Sequence, residues 1–145
     1  MCLPSTICSL TSLESLDLSR CSKFDNLPEN LGNVKGLKKL NLSATTIKEL
    51  PSSIERLTNL TSLTLLKCYK LLCLPNTKCG FKFRGALDLS RHSKFQKLPE
   101  NLWIIEGLEK LDLSKTAIEE LPSSIERLTT LTLLTLKGCK NPMSS

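Results

Sequence analysis

Leucine alternates with polar residues in one short phrase that keeps returning along the chain. In LESLDLS, Leu16 and Leu18 alternate with Ser15, Asp17 and Ser19, and a period of two predicts a half-buried strand with leucines inward and polar residues outward. The phrase returns at Leu40, Leu63, Leu87, Leu111 and Leu134, in steps of 24, 23, 24, 24 and 23 residues. Six of the seven prolines follow a leucine and keep the same steps: Pro4, Pro28, Pro51, Pro75, Pro99 and Pro122. Leu-Pro closes the return path on the side away from the strands, where no sheet partner needs proline's missing N–H. Segments such as SSIERLTNL read as a helical turn or an irregular coil, being too short for a self-supporting α-helix.

A fixed period of roughly 20–29 residues carrying L-x-x-L-x-x-L-x-L is the mark of leucine-rich repeats. The predicted fold is therefore an α/β solenoid, a leucine-rich-repeat horseshoe with a parallel concave sheet and an irregular or short-helical convex side. Residues 1–145 read as a single array of about six repeats of 23–24 residues. A second period lies above the first. Leu16 and Leu87, Leu40 and Leu111, and Leu63 and Leu134 are each 71 residues apart, and 16 of 21 positions agree between 40–60 and 111–131, so a three-repeat block was duplicated. Both ends read as truncated: Met1–Ile7 matches the tail of a repeat whose strand is absent, and Lys140–Met143 follows the sixth strand with no polar cap. Repeat four is worn. Lys78 stands in the apolar column of Leu31 and Ile54, and Arg84 in that of Leu37 and Leu60. Burying an unpaired cation costs several kcal/mol, so the chain near Cys79–Gly85 is expected to shift register or loop out, with Phe81 or Phe83 filling the gap.

Composition narrows the chemistry. Leucine is 32 of 145 residues, which excludes a disordered or collagen-like chain. No apolar run is long enough to span a membrane, and MCLPSTICSL lacks the charged start of a secretory signal. The seven cysteines are an odd number and read as reduced thiols in a reducing compartment. Cys21, Thr45, Cys68, His92, Thr116 and Cys139 occupy one ladder position in the turn after each strand, where a small polar or thiol side chain faces inward. The spacing of Cys68, Cys73 and Cys79 matches no paired zinc pattern, so no metal is expected. The sole histidine, His92, is a substituted ladder residue rather than a catalytic base. No phosphate-binding loop, dinucleotide turn or nucleophile elbow occurs, and Glu119 and Glu120 fall where solvated charge belongs. The chain reads as no enzyme, with no cofactor. Sequons at Asn41 and Asn59 would matter only in a secreted protein, and Trp103 reads as a lone surface aromatic.

The combination of L-x-x-L-x-L-x-x-C, a following LP-x-x-I/L, and phrases such as LEKLDLSKTAIEELPSSIERLTTLTLLTLKGCK closely resembles the C-terminal repeats of plant intracellular immune receptors. These are the Toll/interleukin-receptor, nucleotide-binding, leucine-rich-repeat class. The resemblance covers essentially the whole chain. It implies recognition of a protein partner: a pathogen effector, a guarded host protein, or the receptor's own nucleotide-binding domain. It also implies a role in defence signalling and a cytoplasmic or nuclear location. A truncated or decaying receptor gene product accounts for the raw ends and the worn repeat together. The alternative is a free-standing intracellular scaffold of the Ras-associated repeat type.

Three outward columns line the predicted concave face, with a basic row beside them. Candidate partner contacts are Asp17, Arg20, Lys39, Asn41, Thr64, Lys67, Asp88, Arg91, Lys110, Asp112 and Lys115. Acidic and basic stripes side by side suit a protein partner. Nucleic acid would call for a single-sign basic field with aromatics to stack on, and neither nucleic acid nor membrane is expected.

Overall fold

A computed structural model describes residues 3–71, 82–92, 102 and 105–139. Among these, six strands form one parallel sheet whose order follows the chain: β1 (Ser15–Asp17), β2 (Lys39–Asn41), β3 (Ser62–Thr64), β4 (Lys82–Asp88), β5 (Glu106–Asp112) and β6 (Leu133–Thr135). Register follows the repeat: Leu16, Leu40, Leu63, Leu87, Leu111 and Leu134 are successive in-register partners. The solenoid read from the sequence is the fold observed. Leu42, Leu65, Leu89 and Leu113, the second leucines of the four inner phrases, are wholly buried. Leu16 and Leu134 at the two ends are only half-buried, whereas Leu40, Leu63, Leu87 and Leu111 are sealed by a repeat on either side.

The convex side is built from 3-10 turns at Ser5–Ser9, Leu31–Asn33, Ser52–Arg56 and Ser123–Arg127. Their origin is a period of three that runs through Pro51, Ile54, Leu57, Leu60 and Leu63. A 3-10 helix has three residues per turn, so these side chains eclipse onto one face. The backbone follows suit: the N–H of Ile54 donates to the Pro51 carbonyl at 3.1 Å, Leu57 to Ile54 at 3.0 Å, and Leu60 to Leu57 at 3.1 Å. Pro4, Pro51 and Pro122 each precede their turn in an extended conformation, which proline's fixed φ favours. Gly32 lets neighbouring turns approach, since a Cβ there would collide with the Ser53 carbonyl; its own N–H donates to Ser53 Oγ at 3.1 Å.

The worn repeat is accommodated by two compensating bulges. Between the pairs Lys82↔Glu106 and Gly85↔Leu108 the extra residue lies in β4; between Gly85↔Leu108 and Ala86↔Lys110 it lies in β5. The register shift turns Arg84 out to solvent and sends Phe83 inward, 3% exposed, to supply the bulk that Leu60 and Leu108 supply in the flanking repeats. Gly85 makes this possible with a φ of 149°, in a place where a Cβ would strike the Thr61 carbonyl. Lys78, Phe81, Cys73, Cys79 and Trp103 lie outside the described residues.

Candidate recognition face and its bordering turn

The sheet register assembles the outward residues into continuous columns. Asp17, Asn41, Thr64, Asp88, Asp112 and Thr135 are consecutive in-register partners, and Lys39 and Lys110 belong to the column that starts at Ser15. Asp17, Arg20, Lys39, Arg91, Lys110 and Lys115 are exposed, while Asn41, Thr64, Lys67, Asp88 and Asp112 are half-buried. All eleven candidate contacts thus reach solvent on the face or rim to which the alternation assigned them.

The acidic column has a local task as well. Asp17 Oδ1 accepts from the Ser19 N–H at 2.9 Å, Asn41 Oδ1 from Ser43 at 3.0 Å, Asp88 Oδ1 from Ser90 at 2.9 Å and Asp112 Oδ1 from Ser114 at 2.9 Å. Each closes an Asx turn that stops its strand. Hydrogen bonds from the Ser19 side chain and backbone hold the Asp17 carboxyl below the usual carboxylate range. The recurring Asx-Leu-Ser triplets at 17–19, 41–43, 88–90 and 112–114 carried this signal, which alternation alone does not expose.

The next residue of each turn is left-handed. Arg20, Ala44, Lys67, Arg91 and Lys115 have φ between 55° and 65°, and Gly138 completes the series at 74°. What imposes the conformation is a bond to the following repeat: Arg20 N–H donates to Ser43 O, Ala44 to Leu66 O, Lys67 to Ser90 O, Arg91 to Ser114 O and Lys115 to Lys137 O, at 2.8–3.1 Å.

The ladder side chains lie directly beneath. Thr45 Oγ1 donates to the Leu42 carbonyl at 2.8 Å, and the Cys68 thiol reaches back to that same carbonyl at 3.0 Å. The second block repeats the device with Thr116 and Cys139 on the Leu113 carbonyl, at 2.8 and 3.0 Å. Burial pushes the Cys68 thiol up, keeping it a protonated donor. His92 is 1% exposed, with Nε2 2.6 Å from the Leu65 carbonyl; a carbonyl only accepts, so that nitrogen carries the proton. Burial lowers its pKa, against the opposing pull of the Leu65 carbonyl and the Asp88 charge. Cys21 holds the same place, half-buried, in the first repeat. Among the described residues no group of His, Cys, Asp and Glu side chains is arranged to hold a metal ion, and no helix is long and apolar enough to cross a membrane.

Residues 9–83 match the sequence profile of the leucine-rich repeats of disease resistance proteins of the RPS4B-like type. The chain belongs to this family of disease-resistance leucine-rich repeats. It is 40% identical over 141 residues to the TMV resistance protein N of Nicotiana glutinosa, and 41% identical over 142 residues to the disease resistance-like protein DSC1 of Arabidopsis thaliana. Each match covers 95% of this chain and 12% of the relative, so these disease-resistance repeats span about an eighth of the length of those proteins. In three dimensions the array is similar to a leucine-rich-repeat protein of Leptospira interrogans, with a TM-score of 0.80 and 33% identity over 96% of this chain and 35% of that one.

Proposed function

We propose that the concave face is the protein-recognition surface of a plant disease-resistance receptor. It senses a pathogen effector or a modified host protein, and acts inside the cell. In this reading the array is one open-ended stack, and the nucleotide-binding and signalling steps belong to other parts of such a receptor. The supporting observation is the outward column Asp17–Asn41–Thr64–Asp88–Asp112, aligned strand by strand and bordered by cations. A parallel sheet held this rigidly presents charges of both signs at fixed spacing, which gives selectivity for a complementary protein surface. The repeats themselves are a binding module, and no catalytic step is assigned to them. The scaffold alternative draws no support from the relatives named above.

Photo-crosslinking side chains placed at Lys39 and Asp112, with Glu55 and Glu126 of the convex turns as controls, test the proposal. Extracts of infected leaves should yield crosslinked partners from the concave positions and not from the convex ones. Equal labelling of both faces, or identical products from healthy and infected leaves, would overturn it.

A further inference from the structure

The left-handed turn that ends every strand asks for glycine, and the last repeat supplies one in Gly138. Ala44 shows that the turn needs no particular side chain. Nevertheless three consecutive repeats place Lys67, Arg91 and Lys115 there, in a conformation that disfavours any residue with a Cβ. Their N–H bonds to the next repeat fix them side by side along one rim, about 4.8 Å apart as neighbouring strands are. Adjacent turns at that backbone spacing carry like charge in succession, and charges closer than the screening length of physiological salt, roughly 8 Å, repel. None of them makes an ion pair among the described residues, where Lys38–Glu14 is the pair observed. Asp88 and Asp112, in the strands that lead into these turns, each spend an oxygen on a turn N–H. Strain and like-charge repulsion therefore accumulate on a row that the fold does not require.

We propose that the rim Lys67–Arg91–Lys115 docks an acidic polypeptide segment whose apolar residue lies over Leu66 and Tyr69 at the Lys67 end. This rests on the recognition role proposed above and names the chemistry of the partner. Two features select a polypeptide. Leu66, which precedes Lys67 in the chain, is half-buried, and Tyr69, two residues beyond it, is 47% exposed, so apolar surface flanks the first cation on both sides in sequence. The carboxylates of Asp88 and Asp112 run along the inner side of the row, and they would repel a continuous phosphodiester backbone lying across it. A polypeptide can set its carboxylates over the cations and neutral residues over the acids.

The test is fluorescence anisotropy with the 145-residue chain and a labelled Leu-(Glu-Gly)3 peptide, alongside (Glu-Gly)3 without the leucine and a six-nucleotide oligothymidylate. Leu-(Glu-Gly)3 should bind with an affinity that falls as salt rises, more tightly than either other probe. The double variant R91E/K115E should weaken it at least tenfold, while R56E/R127E, which reverses two cations of the convex turns, should stay within twofold. Arg91→Gly guards against misfolding: its melting temperature should match or exceed that of the parent while its affinity falls. The proposal is overturned if the parent does not bind the peptide, if the convex pair weakens binding as much as the rim pair, if Arg91→Gly binds as the parent does, or if oligothymidylate binds at least as tightly. Concave crosslinks that persist after such a result would leave the broader recognition role standing without this rim.

Discussion

Ala44 holds a φ of 58° in the middle of the array, and the left-handed region costs an L-residue roughly 1–2 kcal/mol. Glycine accepts that geometry but loses more entropy on folding, about 0.5–1 kcal/mol. Ala44→Gly should therefore stabilise the chain, by on the order of 1 kcal/mol or less in urea unfolding. A destabilised variant would show that the turn is not left-handed in solution. His92 supplies the pH dependence. Burial lowers its pKa from 6.5, so the unfolded chain binds the proton more readily than the folded one. Stability must then decline as pH falls below about 6.5 toward the folded value. His92→Thr, using the ladder residue of positions 45 and 116, should shrink the loss of urea midpoint between pH 7 and 5.5; an unchanged pH slope would mean that His92 is charged in the fold. At this scale the sequence was only half legible. The inward ladder followed from position, but the left-handed turn did not, because Arg, Ala and Lys give no local hint of it and the constraint comes from the next repeat's carbonyl.

The elements were more legible than their joints. Short strands follow from the leucine alternation: four of the six are three residues long, and β4 and β5 reach seven through the bulged repeat. The convex 3-10 turns were written in a period of three, through Ile54, Leu57 and Leu60, which a search for the 3.6-residue helical pattern passes over. Arg84 was a local conflict whose resolution needed Gly85, the residue able to bulge against the Thr61 carbonyl. Gly85→Ala meets both an unfavourable φ and that collision, so it should cost more than about 1 kcal/mol and loosen the β3–β4 pairing. Hydrogen exchange should show faster exchange of the Ala86 N–H, which donates to Thr61 O at 2.9 Å. Retained protection with unchanged stability would mean that the bulge tolerates a side chain.

For the molecule as a whole, stability is the sum of what each repeat gives its neighbours. Leu63 is 1% exposed between two repeats, whereas Leu134 is half-buried in the last strand. Leu63→Ala should destabilise the chain by about 2–5 kcal/mol, and Leu134→Ala by clearly less. Urea titration followed by circular dichroism checks the difference, and equal costs would show that the sixth strand is as deeply covered as the third.

The paired bulges between β4 and β5 carry one more consequence. Because the second cancels the first, the strands on either side keep their alignment, and an ill-fitting stretch is confined to the β4–β5 pair. Rungs beyond that pair then hold their register. Positions 71 residues apart, such as Leu40 and Leu111, thus keep one inward frame, while outward residues such as Asn41 and Asp112 differ upon it.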